Sequence, residues 1–397
     1  MKKENLFGKQ TQSGGEYKWV DAEEISNKDQ INNWQQKYSK LELFKANEEK
    51  FSDFSHDIAK LFESFLPDAF FSKIAKQMNT YLQECCHSDI APKMRNLEEM
   101  PDFSEFDVKQ FIGLVLYMGL VKLPRISDYW SKCELFNIPF VKSIMPRNKF
   151  RILSRFLHFT ENKQMKSSND KLFKIRDIFN YFLEVWWSNY SGGEHLNIDE
   201  TSIPFRGRLN IKQYNPLKPN EFGVKAFSLA DSSTGYVIRW YIYAGKEGDR
   251  SLSVNQIVLN LLKGLENQGI HLFCDNYFTN IVLLEQLEKG QISLTGTMTK
   301  RRKFLPKMKD FQKIQIASNI SVKKCNNMLL TLWKDKKDIF VLTNLVGNKV
   351  ISGKRYTKGG EQKEFLKPLV VESIINSVTE SIFQIKWHHI IEILTAI

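Results

Sequence analysis

The sequence predicts an α/β protein with a helical N-terminal region, a core in which strands alternate with helices, a mixed basic insertion and a last helix. Apolar residues recur three and four positions apart through residues 46–190, which is typical of amphipathic helices. After residue 190 the pattern changes to short β-branched and aromatic runs, separated by two further helical stretches. A chain of 397 residues is long enough for two or three domains.

The N-terminal part divides into a tail and a helical region. Residues 1–45 are polar and contain two adjacent glycines, which predicts a flexible tail. Residues 46–190 predict a mainly helical region. Its expected helices are an apolar run from Phe62 to Ile74 that Pro67 interrupts, a second over 107–118, a third that begins near Pro146 and a fourth over 175–188.

The core covers residues 191–297 and has the predicted order β, β, β, α, β, α, β. Its elements are strands at 196–198, 224–230 and 237–243, a helix at 252–265, a strand at 270–274, a helix at 279–287 and a strand at 292–297. Thr279 is the expected N-cap of the second helix, and Gly290 its stop. The order is that of an RNase H-like sheet, in which the first and fourth strands lie side by side.

The C-terminal part is predicted to consist of two segments. Residues 298–367 are a mixed basic insertion, with strands expected at 328–333 and 338–343. Residues 368–397 are expected to form a C-terminal helix, because apolar residues follow one another at helical spacing.

Composition favours a polyanionic partner in a reducing compartment. The net charge is +12, and the isoelectric point is near 9.2. Five scattered cysteines without zinc-ligand spacing argue against a disulfide framework. The N-terminus lacks the apolar stretch that a secretory signal requires. The sequence contains no run of about 18 apolar residues, so no membrane span is expected.

Two aspartates are the candidate catalytic residues. Asp199 follows the first predicted core strand, and Asp275 follows the fourth. Carboxylates at the ends of neighbouring strands suit a site for Mg²⁺ or Mn²⁺, which activates a water or a 3′-hydroxyl and neutralises charge during phosphoryl transfer. A single aspartate at a strand end is more often a turn residue, so the hypothesis depends on the pair.

Several segments resemble piggyBac-type transposases. The stretch from Asp199 to Arg208 resembles the first-aspartate motif of that family, and the stretch from Cys274 to Asn280 resembles the second. Other similar segments lie at 119–124, 128–130, 145–159, 212–225 and 296–306. The resemblance runs over roughly 60–371, in the family's order.

The resemblance implies a cut-and-paste DNA transposase with three catalytic aspartates and a divalent metal, Mg²⁺ or Mn²⁺. Such enzymes excise through hairpin ends and integrate at TTAA. Asp199 and Asp275 would be the first two metal ligands, and the helical region would serve DNA binding or dimerisation. The resemblance implies that the partner is DNA and that the protein is nuclear. It is also compatible with a homodimer. Neither a membrane nor a small-molecule substrate is expected.

Basic residues near the two motifs are the candidate nucleic-acid contacts. They are Arg206, Arg208 and Lys212 after the first aspartate, and Lys300, Arg301, Arg302 and Lys303 after the second. Phosphate contacts supply most non-specific DNA affinity. The alternative for the run at 300–303 is a solvated loop.

The third aspartate motif of the family is not found. It is expected soon after the segment Lys367-Pro368-Leu369-Val370-Val371, where this sequence continues with Glu372. The chain is then a C-terminally truncated, mis-spliced or decayed copy, or Glu372 replaces the aspartate. We expect a catalytically impaired transposase domain with little strand transfer. The alternatives are a domesticated or decayed DNA-binding protein without catalysis, and an unrelated RNase H-like nuclease.

Overall fold

The structure is a computed structural model, and it describes a large part of the chain. The described residues are 17–22, 57–87, 99–163, 170–190, 192–216, 218, 220–245, 252–312, 319–356 and 362–384. The tail predicted for residues 1–45 and the last part of the helix predicted for 368–397 lie mostly outside these ranges.

Helices dominate the N-terminal region, as predicted. Those of the described residues are α1 (Ile58–Phe65), α2 (Asp68–Cys86), α3 (Glu105–Leu120), α4 (Pro139–Ile144), α5 (Arg147–Phe156) and α6 (Phe173–Asn189). Pro67 separates α1 from α2, because a proline at that point cannot continue the first helix. A capping box between Ser104 and Asp107 starts α3. The apolar faces of these helices meet in one core that includes Phe71, Phe111 and Phe150.

The second half of the described chain is built on a large mixed sheet. Its strands are β1 (Val20–Asp21), β2 (His195–Pro204), β3 (Lys212–Tyr214), β4 (Phe222–Asp231), β5 (Val237–Ile242), β6 (His271–Cys274), β7 (Ser293–Met298), β8 (Ile320–Cys325), β9 (Met328–Lys334) and β10 (Asp338–Thr343). They lie in the order β1-β8-β9-β10-β7-β6-β2-β4-β3, and β5 also pairs with β4.

The centre of the sheet has the predicted RNase H-like arrangement. The first predicted strand, β2, lies beside the fourth, β6, and the two are parallel. On one side β2, β4 and β5 form an antiparallel meander, and on the other β7 is parallel to β6. Helices α7 (Val254–Leu261) and α8 (Ile281–Lys289) bury their apolar sides in the same core as Leu196, Ile198, Leu272 and Leu294. The predicted order of elements is therefore confirmed.

The sequence misplaces the N-cap of α8. Asn280 is the N-cap, because its side-chain oxygen accepts from the backbone N–H of Leu283. The hydroxyl of Thr279 instead donates to the carbonyl oxygen of Asp275 at 2.8 Å. Gly290 follows the last helical residue, as predicted.

The basic segment continues the sheet. The two predicted strands of this segment are found as β9 and β10, and β10 pairs with β7. Residues 17–22, which the sequence assigns to a flexible tail, lie against the sheet instead, because β1 pairs with β8 and Lys323 forms an ion pair with Asp21 at 2.5 Å. The division of the chain at residues 45, 190, 297 and 367 stays a prediction.

A hairpin and a final helix complete the described chain. Strands β11 (Val350–Tyr356) and β12 (Gln362–Pro368) pair with each other, and α9 (Leu369–Gln384) follows directly. Val370 and Val371 at the start of α9 are buried against residues of β8, β9 and β10. None of the helices in the described residues has the length and apolar character that crossing a membrane requires.

Candidate functional site

The strand register brings Asp199 and Asp275 to equivalent positions on neighbouring strands. Ile198 on β2 is in register with Cys274, the last residue of β6. Asp199 is the next residue of β2, and Asp275 is the first residue after β6. Because the two strands are parallel, side chains at equivalent positions point to the same face of the sheet. The negative charge of Asp199 also acts on the carboxyl group of Asp275, which shows that the two groups are close.

The sequence predicts that Asp199 follows the end of its strand. In the structure it lies in the middle of β2 instead. Parallel pairing with β6 stops at Ile198, whereas antiparallel pairing with β4 continues through Pro204. The backbone beyond Asp199 therefore keeps a hydrogen-bonding partner on one side. The other side of Asp199 is open to the turn that carries Asp275.

Each carboxylate has one oxygen committed to the backbone. Oδ1 of Asp199 accepts from the N–H of Glu200 at 2.7 Å. Oδ1 of Asp275 accepts from the N–H of Tyr277 at 2.9 Å. Asp275 reaches the surface, yet the surrounding protein atoms and the charge of Asp199 together raise its pKa. A divalent cation beside the pair would relieve this repulsion.

A charged and aromatic cluster adjoins the pair, and its contacts were not predicted by the sequence analysis. Lys225 on β4 forms an ion pair with Glu200 at 2.7 Å. Its ammonium group lies 4.5 Å from the ring centre of Tyr277 and 4.9 Å from that of Phe227. Lys218 donates to the carbonyl oxygen of Glu200 at 3.2 Å. In the sequence, Lys225 stands out as the one charged residue in the predicted strand from Val224 to Ala230.

The helix α9 covers the face of the sheet on which the aspartates lie. A cavity of about 470 Å³ is lined by His195 and His271 from the sheet and by Ser373, Asn376 and Ser377 from α9. Side chains alternate along β2, so Asp199 points to the same face as His195. The residues that α9 presents to this cavity are polar but uncharged.

Glu372 is engaged elsewhere. Its carboxylate forms an ion pair with Lys367. Over the described ranges, no three side chains of His, Cys, Asp or Glu come together in a way that could hold a metal ion. The hypothesis that Glu372 serves as a third ligand gains no support from this geometry.

The predicted basic contacts after Asp199 lie between the end of β2 and the start of β3. Arg206 and Arg208 are exposed between β2 and β3. Lys212 donates to the carbonyl oxygen of Gly207 at 2.8 Å, and its ammonium group lies 5.4 Å from the ring centre of Phe222. Lys212 therefore also shapes this loop. The role of the three residues as phosphate contacts stays a prediction.

The predicted basic run after β7 is not uniform. Lys300, Arg301 and Lys303 are exposed. Arg302 is half-buried and donates through Nη2 to the carbonyl oxygens of Asn276, at 2.7 Å, and Tyr277, at 2.6 Å. The structure thus brings Arg302, but none of its three neighbours, into contact with the turn that follows Asp275.

Gly296 allows the close approach of this turn to β7. It is in register with Cys274. A Cβ atom at this position would overlap the hydroxyl of Thr279 and come within 2.7 Å of the carbonyl oxygen of Cys274. The turn after Asp275 can therefore pack here only if residue 296 has no side chain.

We expect Gly296→Ala to lower the free energy of unfolding by about 1–3 kcal/mol, because the buried backbone cannot yield without strain. Urea denaturation measures the effect. The matched control is Gly113→Ala in α3, where a Cβ meets nothing within 4 Å. That change should stabilise the helix by about 0.5–1 kcal/mol. Equal effects of the two substitutions would contradict the close-packing argument.

Comparison with known proteins identifies the family. A family model described as Transposase IS4 matches residues 57–377. Human PiggyBac transposable element-derived protein 2 is 23% identical over 298 residues, which cover 72% of this chain and 48% of that protein. Human PiggyBac transposable element-derived protein 3 is 26% identical over 273 residues, covering 67% of this chain and 42% of that protein. The chain belongs to the piggyBac-type transposase family.

A solved structure supports the same assignment at the level of the fold. The cryo-EM structure of a piggyBac transposase synaptic complex with hairpin DNA matches with a TM-score of 0.65 and 21% identity, over 84% of this chain and 74% of that chain. The RNase H-like core is therefore confirmed. This piggyBac-type chain spans about half or less of the length of the human relatives it matches, 48% and 42%. It is a transposase domain or a derivative of one.

Proposed function

We propose that this piggyBac-type domain binds DNA and holds one divalent cation through Asp199 and Asp275. Strand transfer is impaired, because the described residues bring no third carboxylate to the pair. The observation that carries the proposal is the parallel register of β2 and β6, which ends at Ile198 and Cys274, one residue before each aspartate. Further support comes from the raised pKa of Asp275, to which the charge of Asp199 contributes.

The donor set fits a hard divalent cation. Transposases of this family generally use a divalent metal. Mg²⁺ and Mn²⁺ prefer oxygen ligands and keep several waters, so two carboxylates suffice to hold one such ion. When bound, the ion supplies activation of a water or 3′-hydroxyl and neutralisation of phosphate charge. The backbone N–H groups of Glu200 and Tyr277 orient the two carboxylates from within the chain.

The proposed DNA partner follows from charge and from the structural relative. The chain has a net charge of +12, and its structural relative is a complex with hairpin DNA. We assign phosphate contacts to Arg206 and Arg208 on the loop after β2 and to Lys212 at the start of β3. We assign further phosphate contacts to Lys300, Arg301 and Lys303 after β7. From the family resemblance, we also propose that the DNA target is TTAA, that the protein forms a homodimer and that it is located in the nucleus.

Titration of the full chain with Mn²⁺, followed by calorimetry, tests the metal site. We expect Asp199→Asn and Asp275→Asn each to weaken Mn²⁺ binding by about tenfold or more, because each removes one of two charged ligands. Asp102→Asn makes the same change in charge at an exposed position in the helical region and should leave the affinity unchanged. Binding that survives both site substitutions would refute the proposed site.

The second candidate function is DNA binding without chemistry. It is favoured by the engagement of Glu372 with Lys367, which leaves the described part of the chain with two site carboxylates. A nicking assay on hairpin DNA and a gel shift at about 50 and about 200 mM salt separate the two functions. Binding that weakens steeply with salt, with no Mn²⁺-dependent nicking, supports this second function. Nicking that Asp199→Asn abolishes supports the enzyme.

A further inference from the structure

Arg302 contacts the protein where the sequence pattern predicts a contact with DNA. Its Nη2 donates to two successive carbonyl oxygens, those of Asn276 and Tyr277. Its neighbours Arg301 and Lys303 are exposed, whereas Arg302 is half-buried. A guanidinium that donates to two backbone carbonyls restrains both peptide planes at once.

Those peptide planes belong to the turn that carries Asp275. The N–H of Tyr277 donates to the side chain of Asp275, and the N–H of Thr279 donates to its carbonyl oxygen at 3.1 Å. The carbonyl of Asn276 shares its peptide plane with the N–H of Tyr277, and the carbonyl of Tyr277 shares its plane with the N–H of Phe278. Both N–H groups interact with the carboxylate of Asp275, so rotation of either plane moves a group that orients it. The Tyr277 ring is held on its other side by Lys225.

The segment that carries Arg302 is anchored at its far end. Trp19 donates through Nε1 to the carbonyl oxygen of Phe304 at 2.9 Å. The rings of Tyr17 and Phe304 lie 5.0 Å apart. The N–H of Arg302 itself donates to the carbonyl oxygen of Thr299 at 3.2 Å. Arg302 thus reaches the turn from a backbone that is fixed on both sides of it.

We propose that Arg302 is a positioning residue that holds the Asp275 turn in the geometry of the metal site, instead of a phosphate contact. The part of the proposal that concerns metal rests on the proposed function. The part that concerns the turn does not, because the hydrogen bonds are made within the protein alone.

The experiment compares Arg302→Gln with Arg301→Gln in the full chain, since each removes one guanidinium from adjacent positions. Hydrogen exchange, followed by mass spectrometry, reports on the backbone N–H groups of residues 275–280 without metal. We expect exchange there to become about tenfold or more faster in Arg302→Gln, because two charge-assisted hydrogen bonds are lost. It should stay as in the wild type in Arg301→Gln.

Two further measurements separate positioning from a general structural role and from DNA contact. Mn²⁺ affinity should fall by about 10–100-fold in Arg302→Gln, as for other residues that orient a metal ligand, and stay unchanged in Arg301→Gln. The slope of log affinity for duplex DNA against log salt should drop by about one unit in Arg301→Gln and stay unchanged in Arg302→Gln. Thermal unfolding shows whether each variant is folded.

The outcomes are distinct. Unchanged exchange in residues 275–280 of Arg302→Gln, or equal exchange in the two variants, would overturn the proposal. If the wild type binds no Mn²⁺, the proposed metal site fails, and the exchange comparison alone decides the role of Arg302. If Arg302→Gln does not fold, Arg302→Lys replaces it. A lysine ammonium group should not reach both carbonyl oxygens as well as the arginine guanidinium does. Exchange in Arg302→Lys should therefore still be faster than in the wild type.

Discussion

Replacing Asp231 with alanine is expected to lower the free energy of unfolding by about 3–5 kcal/mol, because a fully buried carboxylate that accepts several hydrogen bonds would be lost. Asp231 has no exposed surface. Its Oδ2 accepts from the hydroxyl of Tyr190 at 2.7 Å and from the N–H of Gly193 at 2.5 Å. Its Oδ1 accepts from the N–H and hydroxyl of Ser233 and from the N–H of Thr234.

The carboxylate of Asp231 is ionised despite its burial. Burial alone would raise its pKa, but the hydrogen bonds from Ser233, Tyr190 and Thr234 lower the pKa below the ordinary value. Alanine would leave these donors buried without an acceptor, which costs more than the bonds themselves contribute. Asp231→Asn should cost less than alanine, since the amide oxygen still accepts while the charge is lost.

The substitution should also affect the strand that carries Asp199, one of the two ligands of the proposed metal site. Asp231 is in register with Leu196 on β2, and Gly193 lies just before that strand. Loosening this end of β2 displaces the strand on which Asp199 lies. Urea denaturation gives the stability change, and Asp338→Ala, at the exposed start of β10, is the matched control. A loss under about 1 kcal/mol in Asp231→Ala would mean that the donors find water instead.

The order of core elements could be predicted because its signals are local. The change from helical to strand spacing, the glycine after α8 and the proline between α1 and α2 all lie within a few residues of the element they define. Parallel pairing of β2 with β6 then follows from the order of elements, and with it the proximity of Asp199 and Asp275. The pair was therefore within reach of sequence reasoning.

What escaped prediction depends on residues that are far apart in the chain. Residues Glu200 to Ser202 are polar and suggest a loop, but β4 supplies hydrogen bonds that keep them in β2. The pairing of β1 with β8 joins residues about three hundred positions apart. Arg302 resembles its basic neighbours in sequence, and only the folded position of the Asn276 and Tyr277 carbonyls distinguishes it.

Because His271 is buried, we expect the free energy of unfolding to fall markedly in mild acid. His271 is buried at the start of β6, its Nε2 lies 2.8 Å from the hydroxyl of Thr295, and its ring stacks on Phe273 at 4.4 Å. Burial, with a smaller contribution from His195, lowers its pKa from 6.5 to about 3. The unfolded chain therefore takes up a proton below about pH 6.5 that the folded chain refuses.

Because the unfolded state binds more protons, the free energy of unfolding should fall by about 1.4 kcal/mol for each pH unit below about 6.5. Carboxylates with lowered pKa values, such as Asp231, act only below the interval from about pH 6.5 to 5. Half-buried His158, whose pKa is also lowered by burial, adds a smaller slope of the same sign within it. Urea denaturation across the interval should show a slope in the wild type that His271→Gln reduces to the smaller contribution of His158. His87→Gln, at an exposed position, should keep the full slope. If the slope is as steep in His271→Gln as in the wild type, another group causes the acid sensitivity, and the stability of β6 does not depend on a neutral His271.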